Sequence, residues 1–562
     1  MYPIKKLSLF SCLFLVIAFS KAQEIQRIQD NLLTVETGKI TFRQELKEVD
    51  DNLVRYTEVQ IDSKGKENET VYNFSFADID ENTVRALTKN DAIVIQLLSN
   101  SKQKLIQVLT DGGDKISYVN ELQFLATDSE NGRQLENLIK GWIPSAIAQD
   151  KKRLALTGYS DHMKWLSENI SDVQFPNKQI IQKTNIGAVV GQLVLDQTFN
   201  SKNKSNNELR ELNLATLNPN SVGYRISGDE FIVTAETRRG LKGIRYVEDG
   251  IQKNYTNEVA FYANSIINGK DIYTVLKALI PLAEETFEKN QVDVSSNEKA
   301  LDFLNGAIAE VTTGEVSLTQ SLSNEDNVAQ LELTEAEPNK STTSVYRFNF
   351  GDINANNIDY DGQKNRLFVT LPTKKAVNFI RKTENGELQN YTKELQIHFS
   401  TIEDAIVGTK ALKSLITHHE TKLESDSYVY SSVPNAIADL KKLMQQVRVD
   451  DDSFDLFIEL IDVNGNTVKV TSIFSNHKKS VGTIQEFSLN DINPKNCSIE
   501  VKGKHVQVVL NTKHLEKIIK TYVDGDIKPY QHNISIESTG IEEARQMIQI
   551  FAQLAANNSG KI

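Results

Sequence analysis

Cysteine is nearly missing from this chain, with only Cys12 and Cys497 in 562 residues. No disulfide framework is available, so the fold must rest on buried apolar area alone. Histidine is scarce too, at eight residues, and none forms His-x-x-x-His or His-Glu-x-x-His with a further ligand downstream. That gives no zinc pattern. Gly-x-Ser-x-Gly, the phosphate-binding P-loop and Gly-x-Gly-x-x-Gly are all missing, and with them the common local marks of hydrolases, NTPases and dinucleotide enzymes. Ten prolines and 27 glycines are too few for a fibrous or disordered chain. Basic residues are outnumbered, 63 against 75 acids, for a net charge of −12. This balance argues against nucleic acid and against bulk attraction to anionic lipid.

Long apolar runs are missing as well, except at the start. Lys5-Lys6, an apolar run from Leu7 to Phe19, and Ser20-Lys21-Ala22 read as a secretory signal cleaved after Ala22. The run is too short for a permanent transmembrane helix. A lipoprotein signal on Cys12 is the weaker reading, because the better apolar stretch follows the cysteine. Loss of residues 1–22 removes three lysines and no acid, taking the charge from −12 to −15 and leaving Cys497 alone. The expectation is an exported chain, periplasmic or associated with the cell envelope. Its C-terminal residues show no appended sorting domain.

What is present is repetition. Asp111-Gly112, Asp249-Gly250, Asn385-Gly386 and Asp524-Gly525 are separated by 138, 136 and 139 residues. Tyr118, Tyr255, Tyr391 and Tyr530 follow at steps of 137, 136 and 139. Upstream, Asp78-Ile79, Thr216-Leu217, Asp352-Ile353 and Asp491-Ile492 keep the same rhythm. Three columns in register predict tandem modules over 23–150, 151–292, 293–432 and 433–562. In the fourth, alternating runs such as Ile484, Phe487 and Leu489 predict about seven short antiparallel strands. Ile541, Ala544, Met547, Ile548, Phe551 and Leu554 then mark one face of a terminal helix. The expected fold class is α+β: four modules, each a bent antiparallel sheet or barrel of about seven strands capped by a C-terminal amphipathic helix. A short helix ahead of each module's strands is expected to pack beside the preceding module's terminal helix.

Those short strands, the Leu489-Asn490-Asp491-Ile492 strand end and the single terminal helix resemble the pleckstrin-homology-like superfamily. The resemblance is architectural and implies a bent barrel closed by a helix. The family's paired basic residues for phosphoinositides are missing: residues 461–470 offer only Lys469, and 61–71 only Lys64 and Lys66. Headgroup binding is therefore not implied.

The residues with chemistry read mostly as structure. Cys497 shares a column with Val84, Val222 and Ile358, so it is expected as a small core hydrophobe. His418-His419 point about 100° apart on a helix and are expected as exposed polar residues; His505 and His532 could meet across a sheet. Asp450-Asp451-Asp452 and Glu284-Glu285 read as solvated charge. Asp78, Thr216, Asp352 and Asp491 are expected to cap local turns, and the repeated tyrosines to lie on their hairpins. Ile106, Ile244, Ile380 and Ile519 should point inward, which sends Gln107, Arg245, Arg381 and Lys520 outward. Arg245, Arg381 and Lys520 form the one candidate partner-binding stripe. No catalytic, cofactor or metal residue is assigned. The expected function is non-catalytic binding or scaffolding of an unknown protein or envelope component, with peripheral membrane contact open. Lipid or small-amphiphile binding between barrel and helix is the second reading, and a hydrolase with a non-local site the third.

Overall fold

The computed structural model describes residues 24–50, 52–89, 91–325, 327–425, 430–445 and 456–559. The signal segment, its cleavage point and the acidic run from Asp450 lie outside them. The chain forms two compact units. One holds residues up to 291 together with 362–365, the other 292–361 and 366–562.

One element order recurs four times. In the second copy a six-stranded antiparallel sheet is built in the order Val173–Gln174, Lys178–Ile186, Gln192–Ser201, Lys204–Asn213, Arg245–Glu248 and Ile251–Gln252. A separate three-stranded sheet holds Gly223–Ser227, Glu230–Glu236 and Glu258–Ala263. The other copies repeat this pair; the fourth has five described strands in its larger sheet. The described helices are α1 (residues 24–31), α2 (Ser129–Arg153), α3 (Gly158–Asn169), α4 (Ile266–Lys289), α5 (Asn297–Ile308), α6 (Ile402–Ser425), α7 (Val433–Gln445) and α8 (Ile541–Ser559).

This overturns the expected α+β barrel under a single helix. The chain is mainly sheet, in eight separate open sheets of three to six strands, with eight helices among the described residues. The reason is local. A short turn that starts at Ser75, Asn213, Asn349 or Ser488 ends the long hairpin run, and the chain leaves that sheet to begin the small one. The short helices also differ from expectation: α3 packs on α4, α5 on α6 and α7 on α8, each within its own module. In the second and third copies the chain runs from the short helix into its first strand within three residues, too few to carry the helix elsewhere.

The turn columns are equivalent in place. Each repeated Asp-Gly or Asn-Gly joins the last two strands of the larger sheet. Asp249, Asn385 and Asp524 have φ of 49°, 49° and 50°, and the glycines after them 77°, 86° and 87°. Two successive positive φ values make the tight hairpin turn that Asp-Gly and Asn-Gly favour. The turn side chain then reaches the neighbouring strand: Asn207, Thr343 and Gly482 donate backbone N–H groups to Asp249, Asn385 and Asp524 at 2.8, 3.0 and 2.7 Å. Asp111 precedes two glycines in a wider turn. Ile106, Ile244, Ile380 and Ile519 are all fully buried, as the alternation required.

Candidate functional site

Four polar columns recur through the modules, and what their side chains touch decides what the modules can do. The innermost is Gln44, Gln182, Gln320 and Glu459, spaced by 138, 138 and 139 residues. Each sits on a strand of the large sheet and faces the last strand of the small one. Gln44 accepts from the N–H of Leu125 at 2.8 Å and donates to its carbonyl at 3.0 Å. Gln182 treats Tyr262 identically, at 3.0 and 2.8 Å, and Gln320 treats His398 identically, at 2.9 Å for both. These amides staple the two sheets, supplying one donor and one acceptor to a backbone that has lost its ladder partner.

In the fourth module a carboxyl stands there. Glu459 accepts from the N–H of Glu537 at 2.7 Å. Burial, opposed by that bond, pushes its pKa up to about 8. Glu537 is also raised, first by burial, and its oxygen takes a 2.6 Å bond from Gln507 with His505 at 3.6 Å. Glu459, Glu537 and His505 thus lie close together, the two carboxyls buried and the imidazole half-buried. The geometry is that of the staple, with Glu459 in the amide column and bonded to the backbone of the small sheet's last strand.

The second column corrects the reading of Asp78, Thr216, Asp352 and Asp491. The turn caps are the residues three earlier: Ser75, Asn213, Asn349 and Ser488 accept from the N–H two residues on, at 3.2, 3.0, 2.8 and 3.3 Å. Asp78 and Asp352 are freed for longer reach. Lys270 on α4 approaches Asp78 at 2.7 Å and Asp150 at 3.4 Å. Arg545 on α8 approaches Asp352 at 2.6 Å and Glu542 at 3.4 Å. Lys270 and Arg545 are the same column, the fifth residue of a terminal helix. Burial works against the Lys270 charge, but Asp78 and Asp150 outweigh it and hold its pKa above the usual lysine range. In the first unit Arg153 adds a bidentate pair to Asp271.

Two tyrosines of the repeated column, Tyr118 and Tyr391, belong to the same joints and pack beyond their own hairpins. Tyr118 and Leu105 join the core of the second module, with Tyr118 edge-on to Phe231 at 6.4 Å. Tyr391 joins the core of the fourth, and its N–H donates to the carbonyl of Gly503 at 3.0 Å. A ring at the rim of one sheet buries more area in the next module than on its own short hairpin.

The candidate stripe keeps one register. Arg245 lies opposite Glu211, Arg381 opposite Arg347 and Lys520 opposite Glu486. Arg245 is half-buried and bonded to Glu211 at 2.7 Å and Gln252 at 3.0 Å. Arg381 lines a cavity of about 110 Å³ with Arg347, Tyr391, Glu542 and Glu543. Lys520 is exposed. The cavity is well below the 300–1,000 Å³ typical of small-molecule pockets.

The remaining expectations resolve simply. His419 is buried, contrary to expectation: Asn324 meets its Nε2 at 3.0 Å and Phe350 packs on its ring. His505 opens its strand while His532 bonds near the other end, to Thr512, so the two do not meet. Cys497 is half-buried, its thiol pushed up to about 11 by burial. Glu284 pairs with Arg238 and Glu285 with Lys289. Among the described residues no three metal-binding side chains cluster, and no helix is long and apolar enough to cross a membrane. No protein-family model, curated protein or solved structure matches the chain.

Proposed function

We propose that the chain is an exported, non-catalytic repeat protein of the bacterial cell envelope that scaffolds other envelope components. One observation carries this reading: the repeated polar columns are consumed in construction. The glutamine staples join sheets, the turn carboxyls tie strands, and Asp78–Lys270 and Asp352–Arg545 fasten module to module. In a catalyst built from repeats, at least one module departs from such a plan to free a nucleophile, base or ligand set. Where the staple column departs from glutamine, at Glu459, the side chain remains in the staple. Recognition then falls to outward residues that differ among copies.

Sedimentation with anionic vesicles at low salt tests this against the amphiphile reading. The mature chain, at −15, is expected to stay in the supernatant, since exposed charge acts over a Debye length of about 8 Å at physiological salt and farther at low salt. Salt-sensitive binding that a combined Arg245→Glu, Arg381→Glu and Lys520→Glu reversal abolishes would replace scaffolding by lipid binding.

A further inference from the structure

The joints leave two charges over. The acid column reads Asp78, Thr216, Asp352, Asp491, each the third residue of its turn. The cation column reads Arg133, Lys270, Ile406, Arg545, each the fifth residue of its terminal helix. Asp78 meets Lys270, and Asp352 meets Arg545. In the same two columns Thr216 and Ile406 carry no charge. Asp491 and Arg133 each carry a charge, and within these 562 residues no copy of the repeat stands before Arg133's or after Asp491's. Among the described residues Asp491 makes no ion pair, and Arg133 makes only a 3.4 Å contact to Glu130 with its side chain 71% exposed.

The apolar half of the joint is left over too. Tyr118 and Tyr391 are buried in the module that follows, as is Leu105. Their counterparts in the fourth module are uncovered: Tyr530 is 42% exposed and Ile518 36%. Beside them Leu515 is 56% exposed with φ +57°, and Ile527 is 61% exposed on the sheet's edge strand. A leucine in the left-handed region is strained, and water gives it no compensation.

We infer that this face of the fourth module docks on the first module of a second copy, head to tail, closing an Asp491–Arg133 pair that repeats the two internal joints. Charge complementarity and continuity with those joints select this occupant. The receiving columns hold Tyr224, Ile226 and Phe231 in the second module and Ile499, Val501 and Val506 in the fourth, all packed against the cores that take the tyrosines. In the first module they hold Ala86, Thr88 and Ile93, beside the exposed Leu87. The smaller side chains bury less area, so the contact between copies is weaker than the internal joints and reversible. A heterologous contact of this kind propagates or closes a ring. The inference extends scaffolding to self-assembly but does not rest on it, and vesicle binding leaves it untouched.

Sedimentation velocity on the mature chain tests it, over about two decades of concentration around the micromolar range of small interfaces. The mass is expected to rise with concentration. Asp491→Arg and Arg133→Asp should each weaken association at least about tenfold, as loss of an interfacial charge pair does, and the double exchange should restore it. Tyr530→Ser, at an exposed site, should weaken it without changing the circular dichroism melt. A monomer at every concentration, single variants without effect, a double exchange that fails to rescue, or a dimer indifferent to Arg133→Asp would each overturn the inference.

Discussion

Glu459 carries the sharpest consequence of a single substitution. Its three counterparts are glutamines that donate and accept, whereas an ionised carboxylate accepts only. Its folded pKa of about 8 lies above the ordinary glutamate value. The folded state therefore binds the extra proton, and stability falls as pH rises from the unfolded value through about 8. Stability of the fourth module, followed by denaturant melts, should drop by a few kcal/mol between pH 5 and 8.5 or so. Glu459→Gln should flatten that dependence and raise stability at the alkaline end. A wild-type profile no steeper than that of the glutamine variant would show that Glu459 is not held protonated. The residues around Glu459 give no hint of its partner, which lies 78 residues away. The signal was available in the column itself, since a buried amide recurring three times marks a shared backbone contact.

At the scale of the element, the turns and inward isoleucines were legible because both depend on neighbours in sequence. Asp-Gly dictates positive φ, and period-two alternation dictates the face. Replacing Ile519 by alanine should cost about 2–5 kcal/mol and raise hydrogen exchange in the strands around it, which share its core. Unchanged protection there would remove Ile519 from that core. The barrel expectation failed at one kind of place, the turn that begins at Ser75, Asn213, Asn349 or Ser488. Strand counting sees strands on both sides of such a turn and cannot say that they belong to different sheets. The cap itself was visible, a Ser or Asn three residues before the Asp or Thr column, and it releases the aspartate for another role.

Across whole modules, that role is joining. Asp352 and Arg545 are 193 residues apart, beyond the reach of any local pattern, and the pair emerges only when the acid and helix columns are compared copy by copy. Tyrosine packing follows the same logic, with Tyr118 and Tyr391 reaching into the module ahead and Tyr530 left at the surface.

The central claim is that two joints, one in each unit, are fastened by an acid–cation pair, and a double-mutant cycle on Asp352→Asn and Arg545→Gln tests it most directly. Hydrogen exchange of residues 349–353 and 541–548 is the readout. Either single change strands a half-buried charge and should cost about 3–5 kcal/mol of local protection. The double variant should lose less than the sum by at least about 1 kcal/mol. Strictly additive losses, or singles that leave both segments as protected as before, would contradict it.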